Sequence, residues 1–295
     1  MPMSARLGQR PPIGKRKGGK ALADQTMPVV EHRRKVCASF ATDANPRLSA
    51  VLEAVVRHAH ALVDEVQLTR EEWLAAIRFL TAVGHRCDDT RQEFILLSDT
   101  LGVSTLLEMV NAAPAPGASE PTVLGPFYVP GALLRPYGDS IVTDPATGGT
   151  PLVMSGTVKG LDGIPVPRAS LDVWQVQPNG LYDIEENPSK RNLRSRFETG
   201  ADGEYRFTTV RPVDYTIPGD GPVGMMLRAT GRHPWRPAHV HFLVTADGFK
   251  PLVTHLFDES SPWLESDAVF GVRPSLAVEM GGEECVYDFV IEAQG

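Results

Sequence analysis

Residues 236–244 read Arg-Pro-Ala-His-Val-His-Phe-Leu-Val, an alternation of imidazole and apolar side chains that fits a half-buried strand. Side chains along a strand point alternately to opposite faces, so His239 and His241 share one face and Val240 and Phe242 the other. Two imidazoles at that spacing can bind one metal ion. Alone, they can equally be two packed histidines with satisfied hydrogen bonds. Arg236 lies just upstream, and Pro237 imposes an extended approach by fixing its own φ and restricting the residue before it. Two tyrosines occupy turn-rich surroundings: Tyr182 follows Asn179-Gly180-Leu181, and Tyr215 stands between Pro212 and the run Pro218-Gly219-Asp220-Gly221-Pro222. A phenol bracketed by Pro and Gly sits on a loop or strand end whose stiff backbone can aim it; the alternative is a core tyrosine with a bonded hydroxyl.

Short strands have to carry these residues. Segments 151–158, 169–176, 205–210, 252–257 and 285–291 are rich in β-branched and aromatic residues and separated by Gly and Pro. Asp202-Gly203 and Asp247-Gly248 are hairpin-turn signals. Five or more such strands predict an antiparallel β-sandwich over residues 121–295. Residues 31–120 read as helical. Apolar positions from Leu48 to Val66 recur with a 3.6-residue period. Thr69-Arg70-Glu71-Glu72 is a capping box opening a second helix through Trp73, Ile77, Leu80 and Val83 to a stop at Gly84. Residues 90–110 are apolar enough for a largely buried third segment, and residues 111–120, with their Pro and Gly, read as a linker. The fold class is α+β, mainly β: a helical linker and dimerisation domain ahead of the β-sandwich. The dimerisation role follows because the apolar face between Leu48 and Val83 exceeds what a small β-domain needs to bury.

The net charge of −7 is unevenly spread. Residues 1–30 carry +5, which leaves −12 on the other 265 and makes the body unsuited to nucleic-acid phosphates. The basic, Gly- and Pro-rich start is expected to be a disordered tail over residues 1–30, and Met27 is a second candidate start. A hydrophobic fraction of 42% and the lack of a long apolar run argue against a membrane span. Cys37, Cys87 and Cys285 show no CxxC spacing, so they read as free thiols of a reducing, cytoplasmic setting.

Tyr182, Tyr215 and Arg236-Pro-Ala-His239-Val-His241 resemble the ligand set of the intradiol aromatic-ring dioxygenases, non-haem iron(III) enzymes that open catechols. Gly125-Pro-Phe-Tyr128, Gly219-Asp-Gly-Pro-Val-Gly224, residues 227–236 and Ser266-Asp-Ala-Val-Phe-Gly-Val272 resemble that family too. The likeness runs in order from about Arg47 to the C-terminus and is greatest to the branch acting on hydroxyquinol.

The resemblance implies one Fe(III) per subunit held by Tyr182, Tyr215, His239 and His241. Phenolate and imidazole suit that ion, since two phenolates and a hydroxide neutralise its charge. Zinc sites favour Cys, His and carboxylates. A cupin-like barrel would want a carboxylate ligand soon after the histidines, but the first Glu after His241 is Glu259. The resemblance further implies that Tyr215 departs when the diol binds and then holds its proton, while Tyr182 stays. Arg236 stabilises negative charge as the ring loses aromaticity, and a guanidinium suits that role better than Lys. With O2, the ring is cleaved between the two hydroxyl-bearing carbons, hydroxyquinol giving 3-hydroxy-cis,cis-muconate or maleylacetate. His255 takes the place of a Gln near the metal in catechol-cleaving relatives and is expected to be a catalytic and substrate-binding residue. Leu96 and Asp99 face the ring, Asp99 accepting from a third hydroxyl, with Val123, Leu124 and Gly125 on the other side. Catechol or chlorocatechol is the alternative substrate, and a non-catalytic ligand- or lipid-binding β-sandwich the alternative of another class. A homodimer enclosing a phospholipid is also implied.

Overall fold

The computed structural model describes residues 27–294 apart from 42, 89, 90, 188 and 190. The expectation of a disordered tail lies outside these residues up to 26. Its last four residues belong to helix α1 (Met27–Ala38). The chain separates into two compact units, one ending at Ala82 and one beginning at Val83.

The first unit is helical. Helix α2 (Pro46–Glu65) starts where Asn45 accepts from the Leu48 amide and Pro46 occupies the first turn, a position that needs no N–H donor. Helix α3 (Arg70–His85) opens with the expected capping box: Thr69 N–H donates to Glu72 Oε2 at 2.9 Å and Glu72 N–H to Thr69 Oγ1 at 3.2 Å.

The second unit begins before the linker, not after it. The third helical segment is two helices, α4 (Glu93–Thr100) and α5 (Val103–Asn111), broken at Leu101-Gly102. Helix α4 buries Glu93, Leu96, Leu97, Asp99 and Thr100, whereas α5 buries only Thr105. The apolar run, expected to be largely buried, is thus buried in α4 and largely exposed in α5. Glu93 accepts from the Val223 amide of a helix that the sequence did not announce, α7 (Pro222–Ala229). That contact is why α4 belongs with the sheets, although it lies within residues 31–120.

Strands β1 (Pro151–Gly160), β2 (Ser170–Gln175), β3 (Arg194–Glu198), β4 (Glu204–Val210), β7 (His239–Thr245), β8 (Leu252–Asp258), β9 (Ala277–Val278), β10 (Glu284–Val286) and β11 (Phe289–Ile291) form two sheets. One has the order β3-β2-β7-β8-β9; in the other β1 pairs with β4 on one side and with β10 and β11 on the other. Pairing is mainly antiparallel, with parallel joins of β1 to β10 and β11 and of β8 to β9. Leu171, Val173, Val240, Phe242 and Leu256 from one sheet meet Met154, Phe207, Cys285 and Phe289 from the other in one buried core, the packing of a sandwich. Asp247-Gly248 joins β7 to its antiparallel neighbour β8 as a hairpin. Asp202-Gly203 does not: it carries the chain from β3 in one sheet to β4 in the other. Helix α6 (Asp183–Glu186) and the ladder of β5 (Tyr215–Thr216) with β6 (Trp235–Arg236) lie in the loops.

Candidate metal centre

Strand β7 places Val240 and Phe242 in the core and turns His239 and His241 to the opposite face of the sheet, both buried. His239 Nδ1 lies 2.7 Å from the Pro237 carbonyl. A carbonyl only accepts, so that nitrogen carries the proton and Nε2 presents a lone pair. His241 Nε2 is 3.2 Å from His239 Nε2. Trp174, directly across on β2, stacks on the His241 ring at 4.7 Å and fixes its plane. On its open side the ring meets the backbone of Gly125, where φ is +76° and a Cβ would stand 3.4 Å from His241 Cε1. Glycine takes that conformation without cost and lets the main chain come close.

Tyr182 ends the loop before α6, and its amide donates to Glu185 Oε2 at 2.8 Å. The next residue, Asp183, is locked by Arg194 through a buried pair of hydrogen bonds at 2.6 and 3.0 Å. Phe127 stacks on the Tyr182 ring at 4.4 Å. Tyr215 is held differently: the β5–β6 ladder sets it directly opposite Arg236. The two phenol oxygens are 3.3 Å apart, and Tyr182 Oη is 2.8 Å from His241 Nε2.

Four side chains from three separate elements, the loop before α6, β5 and β7, thus bring their donor atoms close together. Ligand atoms bound to one ion at about 2 Å, with ordinary coordination angles, lie about 3 Å apart, as do Tyr215 Oη and Tyr182 Oη, Tyr182 Oη and His241 Nε2, and the two Nε2 atoms here. Burial, then the neighbouring Tyr215, pushes the Tyr182 phenol well above its ordinary range. Burial, then Arg236, lowers His239 to about 3, and burial, then His255 and His239, holds His241 well below the usual imidazole range. Both imidazoles are neutral and ready to donate a lone pair, while a cation would be needed to draw a phenolate from Tyr182. The residues fit a metal ion.

Arg236 adjoins this cluster. Its Nε and Nη2 donate to Asp267 Oδ1 and Oδ2 at 3.1 and 3.3 Å, which leaves Nη1 to reach Tyr215 Oη at 3.3 Å, with His239 Nε2 3.4 Å away. Asp267 also accepts from the Val269 and Gly271 amides. Burial disfavours the guanidinium charge, but Asp267 and then Tyr215 outweigh it, and Arg236 stays cationic.

A cavity of about 760 Å³ opens beside the cluster. Tyr215, Arg236, Leu96, Asp99, Val123 and Gly125 line it, all expected at the site. Leu124 does not, and it is 39% exposed. His255 does not line it either. Register puts His255 directly across from His241 on β8, fully buried, its ring 4.1 Å from that of His241. Its ring meets His241 and not the cavity wall. Its donor atoms lie within 4.8 Å of those of His239 and His241, and neither ring nitrogen makes a hydrogen bond of ordinary geometry. Burial, then His239 and Arg236, keeps it neutral. Asp267, Trp174 and Asp183–Arg194 were not assigned roles from sequence. Asp267 lies within a stretch that resembles the family, but nothing local to it announces a partner 31 residues upstream.

Comparison with known proteins decides the family. The model of the dioxygenase family matches residues 123–293, and that of the catechol dioxygenase N terminus matches residues 45–119. The chain belongs to the intradiol dioxygenases. Among its relatives in that family, hydroxyquinol 1,2-dioxygenase of Rhizobium sp. (strain MTP-10005) is 48% identical over 80% of either chain. The 6-chlorohydroxyquinol 1,2-dioxygenase of Cupriavidus pinatubonensis is 47% identical, over 82% of this chain and 88% of the relative. The solved hydroxyquinol 1,2-dioxygenase from Pseudomonas putida DLL-E4 superposes with a TM-score of 0.84 at 44% identity, covering 90% of this chain and 99% of the other. Catechol 1,2-dioxygenase from Acinetobacter sp. ADP1 superposes at 0.79 with 26% identity, covering 92% and 94%. This intradiol dioxygenase is thus more like the enzymes named for the trihydroxy ring than the one named for catechol.

Proposed function

We propose that this intradiol dioxygenase cleaves hydroxyquinol between its two adjacent hydroxyl-bearing carbons, inserting both atoms of O2 to give 3-hydroxy-cis,cis-muconate or its maleylacetate tautomer. The observation that carries the reading is the convergence of two phenols and two imidazoles beside a cavity that also holds Arg236 and Asp99. Tyr182, Tyr215, His239 and His241 would hold one Fe(III) per subunit. Ferric iron, when bound, supplies a Lewis acid that accepts the substrate as a diolate and prepares its ring for O2.

The chain's own residues do the rest. Tyr215 has a second partner in the Arg236 guanidinium, so with iron bound it would be the phenol able to give way to the diol, accept a substrate proton and remain hydrogen-bonded. Tyr182 has no such alternative. It is walled in by Phe127 and anchored through Asp183–Arg194, which suits a ligand that stays. Arg236, already oriented by Asp267, faces the ring with a fixed positive charge and stabilises anionic character without reorganising. Asp99, on α4, presents a carboxyl to the cavity. Burial raises it, while the Ser104 hydroxyl and then the Arg236 charge favour its ionised form. As an acceptor it pairs with the third hydroxyl of hydroxyquinol, which catechol lacks. His255 backs His241 and stiffens the histidine pair.

Two copies associate through the helical unit, with a phospholipid at their interface as the family resemblance implies, and the three free cysteines suit a cytoplasmic protein.

The test is direct. Purified protein should be wine-red from tyrosinate-to-iron(III) charge transfer and contain one iron per chain. Oxygen uptake should give kcat/KM for hydroxyquinol at least about tenfold above catechol, the ~1.4 kcal/mol expected of one satisfied buried carboxylate. A preference for catechol or a chlorocatechol would move the substrate assignment while leaving the ring-cleaving chemistry; colourless, iron-free, inactive protein would point to a non-catalytic sandwich.

A further inference from the structure

Arg232, in the turn between α7 and β6, lies outside the metal-facing set and does not line the cavity. It nevertheless ties together the two segments that carry the cavity's charged groups. Its Nη1 donates to the Thr100 carbonyl at 2.6 Å and its Nη2 to the Ala268 carbonyl at 2.9 Å. Thr100 directly follows Asp99 and is the last residue of α4. Ala268 directly follows Asp267, the carboxylate that orients Arg236. Both carbonyl-bearing residues are buried. A second stitch joins the same two segments, from Thr105 Oγ1 on α5 to the Val269 carbonyl at 3.1 Å. The guanidinium also covers the Phe270 ring, 4.9 Å from its centre.

The bond to Thr100 has a physical reason. The last carbonyls of a helix have no partner within it, and a cation there satisfies one of them and complements the helix dipole. One planar fork thus fixes the end of α4 against the 267–271 loop. Lysine, a single flexible ammonium, would not reproduce that fixed spacing.

We infer that Arg232 is a positioning residue for substrate choice: by bridging Thr100 and Ala268 it sets the separation between Asp99 and the Asp267–Arg236 pair across the cavity. The inference rests on the reading of Asp99 as acceptor for a third hydroxyl. An aromatic ring cannot flex to follow a drifting partner. A shift of about 1 Å takes a hydrogen bond from good to poor geometry. Hydroxyquinol, held at both ends, depends on that separation; catechol, held only at its diol, does not.

Arg232→Met removes both bonds, and Arg232→Lys keeps the charge without the fork. Each would be compared with wild type, Asp99→Ala and the Asp99→Ala/Arg232→Met double variant. The measurements are kcat and KM for both diols, anaerobic titration of the visible band with each diol, iron content and Tm. In Arg232→Met the hydroxyquinol-to-catechol ratio of kcat/KM should fall by about fivefold or more, mostly through a higher KM and weaker anaerobic binding of hydroxyquinol. Iron content should hold and catechol values stay within about twofold. Arg232→Lys should fall between. The second substitution should add nothing once Asp99 is gone, because the strap acts through that carboxylate. A purely structural arginine would instead lower both diols together with Tm and leave the ratio intact. That result, while Asp99→Ala does lower the ratio, overturns the inference alone, and Arg232→Lys decides it if Arg232→Met does not fold. An unchanged ratio in Asp99→Ala removes the Asp99 reading and the strap with it.

Discussion

Each of the four converging side chains is aimed by a partner of its own, and the partners differ in how firmly they hold. His239 is pinned by the Pro237 carbonyl, His241 by the Trp174 ring, and Tyr182 by its own loop through Asp183–Arg194. Of the two phenols, only Tyr215 accepts from the Arg236 guanidinium. Removing a residue that merely supports a ligand costs roughly 10–100-fold in metal affinity. Replacing His239 or His241 by Ala, or Tyr182 by Phe, should cost at least that, so these variants should purify with little iron and little activity. Tyr215→Phe should keep more of its iron and lose activity chiefly in kcat. Metal analysis and the visible spectrum of the four proteins check this; full iron and unchanged colour in all of them would mean the ion sits elsewhere.

Elements depart from their sequence patterns where a side chain or a neighbouring strand overrides periodicity. Residues 285–291 read as one strand but form two, β10 and β11, both alongside β1. The break is at Tyr287-Asp288, where the Asp288 carboxylate accepts from Thr157 N–H at 2.9 Å. Gly156 makes the break possible. Its φ is +154°, and a Cβ there would lie 1.8 Å from the Tyr287 carbonyl oxygen, a backbone atom that cannot swing aside. Gly156→Ala should therefore destabilise the sandwich by about 3 kcal/mol, at the upper end for overpacking. At roughly 2–4 °C per kcal/mol for a domain of this size, that is a fall in Tm of several degrees. Thermal unfolding followed by far-UV dichroism measures it. A melt within about 1 °C of wild type would show that the strand yields at little cost.

At the scale of the whole molecule, the helical unit leaves apolar side chains unburied. Leu48, Val55, Leu62, Trp73, Ile77 and Leu80 are each more than 40% exposed. Scattered exposed apolar residues are ordinary, but a run of them along two successive helices is what an interface needs. Light scattering at micromolar concentration should give twice the mass of one chain. Charged substitutions at Val55 and Trp73 together should shift that mass toward a single chain while the iron proposed for the other unit is retained. A monomeric wild type would reject the dimer. Among the described residues no helix is long and apolar enough to cross a membrane.

Alternation around His239 and His241, the strand-rich second half, the capping box at Thr69 and the turn context of both tyrosines were all legible in the chain itself. These are local properties: a two-residue side-chain period and the chemistry of Gly, Pro and caps act over a few residues. Resemblance to a family extended that reading to a ligand set. Tertiary structure alone decided which distant residues meet. Asp267 orients Arg236 across 31 positions, Arg232 reaches Thr100 across 132, and Glu93 accepts from Val223 across 130. It also left Leu124 and His255 out of the cavity lining and set His255 directly across from His241. Strand register and loop closure govern those outcomes, and they depend on how the sheets and helices pack, which no short window of sequence encodes.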